Sequence, residues 1–110
     1  ISVRGKDNIM YHLITIIVDK GKAEEVIDAA TKAGSKGGTI INGRWSGISE
    51  TTKFFSMEIE PEKELVILLS ESEMTDSIVL SIREKLRIDE PGNGIIYIQE
   101  VIKTYPDISI

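Results

Sequence analysis

The sequence contains no cysteine, which excludes a disulfide framework, a thiolate metal site and a cysteine nucleophile, and fits a reducing compartment. Histidine is nearly as scarce. With His12 as the single example, no histidine-rich metal site can be assembled, and a Ser-His-Asp arrangement has no independent support; a satisfied strand histidine is the expected role. Basic charge is short as well. Thirteen Lys and Arg face eighteen Asp and Glu, a formal net charge of -5, which argues against binding to nucleic-acid backbones. The longest apolar runs, Leu13 to Val18 and Leu65 to Leu69, are too short to cross a bilayer, and the start lacks the order of a signal peptide. A cytoplasmic protein without direct membrane insertion is the expectation.

What is present suits one globular domain. The chain has 110 residues, of which 41% are hydrophobic and 28% charged, enough to build one core. Ile1 to Asn8 is expected to be a tag, linker or disordered start, and 9–110 a single domain. Ile9 to Val18, β-branched and apolar, reads as a strand ending at the turn signal Asp19-Lys20-Gly21. From Lys22 the period changes. Ala23, Val26, Ile27 and Ala30 fall on one helical face, Glu24 and Glu25 sit in the first turn, Lys32 near the last, and Gly34 stops the helix. Thr39 to Ile41 is a short second strand. A long excursion from Asn42 to about Lys63 follows, with Phe54 to Ile59 as a partial strand, Gly47 to about Lys53 mobile, and Glu62-Lys63-Glu64 as a surface turn. Leu65 to Leu69 reads as strand three. Ile78, Val79, Ile82 and Leu86 mark a second helix with Thr75 as its N-cap, and Asp89 to Gly94 breaks it before strand four, Ile95 to Ile98.

The order βαββαβ is that of the α+β ferredoxin-like sandwich, in which two helices cover one face of a four-stranded antiparallel sheet. Both faces of this sheet are apolar. Strand one sends Ile14, Ile16 and Val18 to one side and Leu13 and Ile17 to the other. Leaving such side chains wet forfeits about 1.5 to 3 kcal/mol each, so the face without helices calls for a partner subunit.

Three segments resemble the PII nitrogen-regulatory signalling family. Lys36-Gly37-Gly38-Thr39-Ile40-Ile41 is similar to the family's glycine and threonine stretch before an apolar strand; Gly43 to Lys63 stands where the family has its long T-loop; and Asp89-Glu90-Pro91-Gly92-Asn93-Gly94 is similar to its phosphate-wrapping B-loop. The resemblance implies a cytoplasmic homotrimer with adenine nucleotides between subunits, a loop that engages a protein target such as a transporter or enzyme, and a regulatory rather than enzymatic role. It implies that Thr39, Ser46, Gly47, Gly92, Asn93, Gly94 and Lys103 contact the ligand, and that Arg44, Trp45, Ile48, Ser49 and Glu50 contact the partner. The sequence departs from the family where a lysine follows the last B-loop glycine, which is Ile95 here, and where an arginine pair follows the last strand, reduced to Lys103. The missing charge favours ADP or AMP over ATP as effector.

Glycine loops suit anions because their amides can converge on one oxygen cluster, but taken alone Gly92-Asn93-Gly94 is equally a plain turn. Arg44 and Trp45 read either as an interface hot spot or, for Trp45, as packing at the loop base. The ligand cleft is expected between neighbouring subunits, bounded by Thr39, the Ser46-Gly47 loop base and Gly92-Asn93-Gly94, where strand two ends and the loop before strand four begins near one sheet edge that a neighbour can close. Two rival functions compete: a small phosphate-cleaving enzyme of the acylphosphatase type, with Arg44 and Asn42 as its only candidates, and a ligand-binding trimer of the ACT or copper-tolerance type.

Overall fold

The computed structural model describes residues 9–46 and 61–108. The expectations for Ile1 to Asn8, for mobility over 47–53, for a strand at Phe54 to Ile59, and for Gly47, Ile48, Ser49 and Glu50 lie outside the described residues or reach beyond them.

Among the described residues four strands and two helices follow the expected order: β1 (Tyr11–Asp19), α1 (Ala23–Lys32), β2 (Thr39–Arg44), β3 (Glu62–Glu71), α2 (Ser72–Leu86) and β4 (Ile95–Val101). The sheet has the order β2-β3-β1-β4, and every neighbouring pair is antiparallel. This is the ferredoxin-like fold. Ile14, Ile16 and Val18 of β1 and Val66 and Leu68 of β3 are buried against Val26, Ala29 and Ala30 of α1 and Ile78, Ile82 and Leu86 of α2. Because strand side chains alternate, Leu13, Ile17, Leu65, Ile67 and Leu69 fall on the opposite face. There Leu69 keeps 43% of its surface and Tyr97 of β4 also 43%, while Leu13, Ile17, Leu65 and Ile67 are only half-buried.

The ends of elements differ from the sequence reading in instructive ways. β2 runs through Asn42 and Gly43 to Arg44 because those residues pair with Glu64, Lys63 and Glu62, so the excursion is shorter at both ends than its local turn signals suggest. Glu62-Lys63-Glu64 is therefore not a surface turn but the start of β3. β4 likewise continues to Val101, opposite Tyr11. Thr75 is not an N-cap: α2 begins at Ser72 after Glu71, whose extended backbone enters the helix, and Thr75 lies one turn inside, 3% exposed. α1 ends as expected. Its closing carbonyls are satisfied by Ser35 N–H to Ala30 O at 2.9 Å and Gly34 N–H to Thr31 O at 3.0 Å, with Gly34 at φ 111, the left-handed turn that glycine makes cheaply. The α1 N-terminus is capped from a distance. Glu64 of β3 accepts hydrogen bonds at Oε1 from the N–H groups of Gly21 (3.0 Å) and Ala23 (2.9 Å), placing a carboxylate where orphan donors and the helix dipole favour one.

Among the described residues no helix is long and apolar enough to cross a membrane.

Candidate functional site

The register divides the expected site. Ile95 is opposite Ile17, and Arg44 is opposite Glu62 near the end of β1, so Arg44-Trp45-Ser46 and Gly92-Asn93-Gly94 stand at the same end of the sheet. They stand on opposite edges, however. β3 and β1 lie between β2 and β4, and three strand spacings amount to about 14 Å. The two segments therefore do not meet near one sheet edge within a single chain; the sequence shows which elements carry them but not the strand order that separates them. Thr39 begins β2 opposite Ile67, at the other end of that strand from Arg44. Lys103 follows β4 at the far end of the sheet from Gly94, and its ammonium sits 5.6 Å from the ring centre of Tyr105.

The loop before β4 is held by its own side chains. Arg87 adopts a left-handed conformation, φ 56, and its carbonyl accepts from Asn93 Nδ2 at 2.9 Å and from Glu90 N–H at 3.0 Å. Arg83 forks onto Asp89 through Nε at 3.2 Å and a terminal nitrogen at 2.7 Å, and Arg87 pairs with Glu90 at 2.7 Å. The Arg83 hydrogen bond holds the Asp89 carboxyl below the usual carboxylate range, and Asp89 in turn raises Arg83. The sequence reading misses these two arginines beside the glycine loop, and both face carboxylates. Gly92 has φ 87, which makes it the conformationally demanding glycine of the loop. Gly94, at φ 150, has a second reason to be glycine: a Cβ there would stand 2.8 Å from the Ile17 carbonyl oxygen and 2.9 Å from Ile88 Cδ1.

At the β2 edge, Lys20, Asn42, Gly43, Arg44, Glu62 and Lys63 line a cleft of about 400 Å³. Local sequence puts Lys63 on a surface turn. Instead its side chain is 2% exposed, with Nζ 2.6 Å from Asp19 Oδ1, because the register sets the two residues opposite one another. Lys20 reaches Glu62 at 3.0 Å. Three cations thus gather at the base of the loop, where the sequence reading singles out only Arg44. The alternation of acidic residues around Lys63 conceals it, since burial of a lysine depends on a partner distant in sequence. Trp45 continues the β2 ladder, its N–H bonded to Pro61 O at 2.6 Å, and its indole nitrogen is buried, which favours packing at the loop base. Asn42 and Arg44 lie on extended strand backbone, so they form no convergent amide cradle of the kind phosphate cleavage needs.

A larger cavity of about 710 Å³ lies towards the far end, lined by the turn from Gly34 to Thr39, by Tyr11 and Leu13, by Ile67 and Leu69 to Glu71, by Met74 and Ile78, and by Ile108. Of the expected ligand residues among those described it includes Thr39 alone.

Comparison with solved structures returns the same fold. A PII protein of Arabidopsis thaliana bound to citrate is 23% identical, with a TM-score of 0.64 over 84% of this chain and 78% of that one. The GlnK–ATP complex of B. subtilis is 16% identical, with a TM-score of 0.62 over 86% and 84%. CPII of Thiomonas intermedia K12, bound to ADP, AMP and acetate, is 15% identical, with a TM-score of 0.63 over 84% and 86%. No curated protein sequence matches the chain. The family model for nitrogen regulatory protein P-II matches residues 11–106, nearly the whole of the described fold, and the chain belongs to that family.

Proposed function

We propose that this chain is a PII-type regulator that binds a small effector, an adenine nucleotide with ADP or AMP preferred, between neighbouring copies of a homotrimer. The observation that carries the reading is the division of the site. Arg44 to Ser46 and Gly92 to Gly94 occupy one end of the sheet but opposite edges, so a cleft using both segments is completed by a second copy. The half-buried apolar sheet face gives that copy a surface to cover.

Membership of the P-II family supports a signalling role, and the bound ATP, ADP and AMP of GlnK and CPII support a nucleotide as effector. The preference for fewer phosphates follows from charge. Arg83 and Arg87 face Asp89 and Glu90, and Ile95 follows the glycine loop, so anion recognition rests on backbone amides, with Lys103 from a neighbour and Arg44 as the cations we assign to it. A charge-assisted hydrogen bond contributes about 1.5 to 3 kcal/mol, and each one missing weighs against a triphosphate. Occupancy shifts the population of the segment 43–63, which carries Arg44, Trp45, Ile48, Ser49 and Glu50 to a protein target in the cytoplasm. The role we assign is regulatory rather than catalytic, a reading that membership of the P-II family supports.

Calorimetric titration of the intact protein with ADP, AMP and ATP tests this. ADP or AMP should bind more tightly than ATP, and Gly92→Val should abolish binding, because a β-branched residue does not adopt the φ of 87 at that position without strain. No heat from any nucleotide, or tight ATP binding that survives Gly92→Val, would overturn the reading.

A further inference from the structure

The cavity of about 710 Å³ shares Ser70 and Glu71 with a chain of hydrogen bonds that the proposed nucleotide site does not use. Ser70 Oγ lies 2.8 Å from Thr75 Oγ1. Thr75 Oγ1 is in turn 2.7 Å from His12 Nδ1 and 3.4 Å from the Glu71 carbonyl. Both hydroxyl residues are buried, Ser70 at 6% and Thr75 at 3% exposure.

Counting hydrogens shows what the chain can do. A hydroxyl has one hydrogen to give, and a neutral imidazole has one nitrogen that accepts. With Nδ1 accepting, Thr75 donates to His12 and Ser70 donates to Thr75, so the hydrogen of Ser70 is committed inward. When His12 takes a proton from solvent, Nδ1 becomes a donor to Thr75. The hydrogen of Thr75 must then turn to Ser70, since the Glu71 carbonyl at 3.4 Å is the poorer acceptor. The hydrogen of Ser70 is displaced in its turn, towards the cavity that Ser70 lines. Only hydrogens move.

Across the sheet His12 has Ser70 on β3 and Glu100 on β4, and the first turn of α2 packs beside it, with Glu73 and Asp76 of that helix exposed. Histidine is the side chain whose ordinary titration falls in the physiological range.

We propose that His12, Thr75 and Ser70 form a proton-operated relay that makes Ser70 a hydrogen-bond donor to this cavity when His12 is charged and withdraws that donor when it is neutral. The ligand class is a small molecule with an apolar body, matched to Met74 and Ile78 on the helix side of the sheet, and a carbonyl or carboxylate acceptor for Ser70. Linkage then requires such a ligand to bind more tightly as His12 is protonated and to raise the titration midpoint of His12 by the same factor.

The test needs no ligand. His12 is the only histidine, so its imidazole signals can be followed without ambiguity while the ¹⁵N–¹H spectrum of the intact protein is titrated from roughly pH 5 to 8. The amides of Ser70, Glu71 and Met74 should move with the midpoint of His12. In Thr75→Val, which keeps the shape and removes the hydroxyl, His12 should still titrate while those amides cease to follow it. Thr75→Ser should restore the coupling. Ser70→Ala should lower the midpoint, because the charged form loses its terminal acceptor. Amides that follow His12 equally in Thr75→Val would show a field effect and no relay, and an unchanged midpoint in Ser70→Ala would overturn the proposal independently.

Discussion

Gly94 is glycine for a reason that concerns folding more than ligand contact. Its φ of 150 and the 2.8 Å that would separate a Cβ there from the Ile17 carbonyl oxygen mean that any side chain pushes β4 away from β1. Gly94→Ala should destabilise the protein by about 1 to 3 kcal/mol, read as a lower urea midpoint. A midpoint within error of the parent would show that the loop relaxes freely. Gly92 is therefore the cleaner probe of the ligand site, although the sequence motif presents the two glycines as equals. Asp89 makes the complementary point about charge. Its carboxyl is held low by the Arg83 hydrogen bond, so its stabilising contribution is present above the unfolded-state pKa and is lost as pH falls through the lower folded value. Asp89→Asn should remove that part of the acid dependence of the urea midpoint. The effect should be small and should fade with salt, since the pair is exposed; an identical acid profile in low salt would contradict the assignment.

At the scale of elements, what is legible in the sequence is whatever is local. Ala23, Val26, Ile27 and Ala30 mark α1, Gly34 marks its end, and the alternation of Ile14, Ile16 and Val18 with Leu13 and Ile17 marks both faces of β1. What is not legible depends on partners far along the chain. Thr75 has the chemistry of an N-cap, but it is drawn inside α2 by hydrogen bonds with Ser70 and His12. The β2 strand reaches Arg44 only because β3 begins early enough to pair with it. The cap of α1 is the clearest case: Lys22 at the N-cap position makes no side-chain hydrogen bond, and the carboxylate comes from Glu64, 41 residues beyond Ala23. Glu64→Ala should cost about 1 kcal/mol and speed amide exchange at Gly21 and Ala23 ahead of the rest of α1. Unchanged protection at those two amides would show that the cap contributes nothing.

For the whole molecule, the same alternation that builds the core leaves a second apolar face. Ile14, Ile16 and Val18 are fully buried within one chain, whereas Leu13, Ile17, Leu65 and Ile67 are only half-covered. That second apolar face is legible in the sequence for this reason, since period-two alternation reports both faces of a strand. The location of the ligand cleft is not, because strand order is set by long-range pairing. That order separates Arg44 from Gly94 and makes a second copy part of the proposed site. The proposed site therefore stands most directly on the mass of the particle in solution. Light scattering from the purified protein at micromolar concentration should give three times the 12.2 kDa of the chain; a particle of 12.2 kDa under those conditions would contradict it.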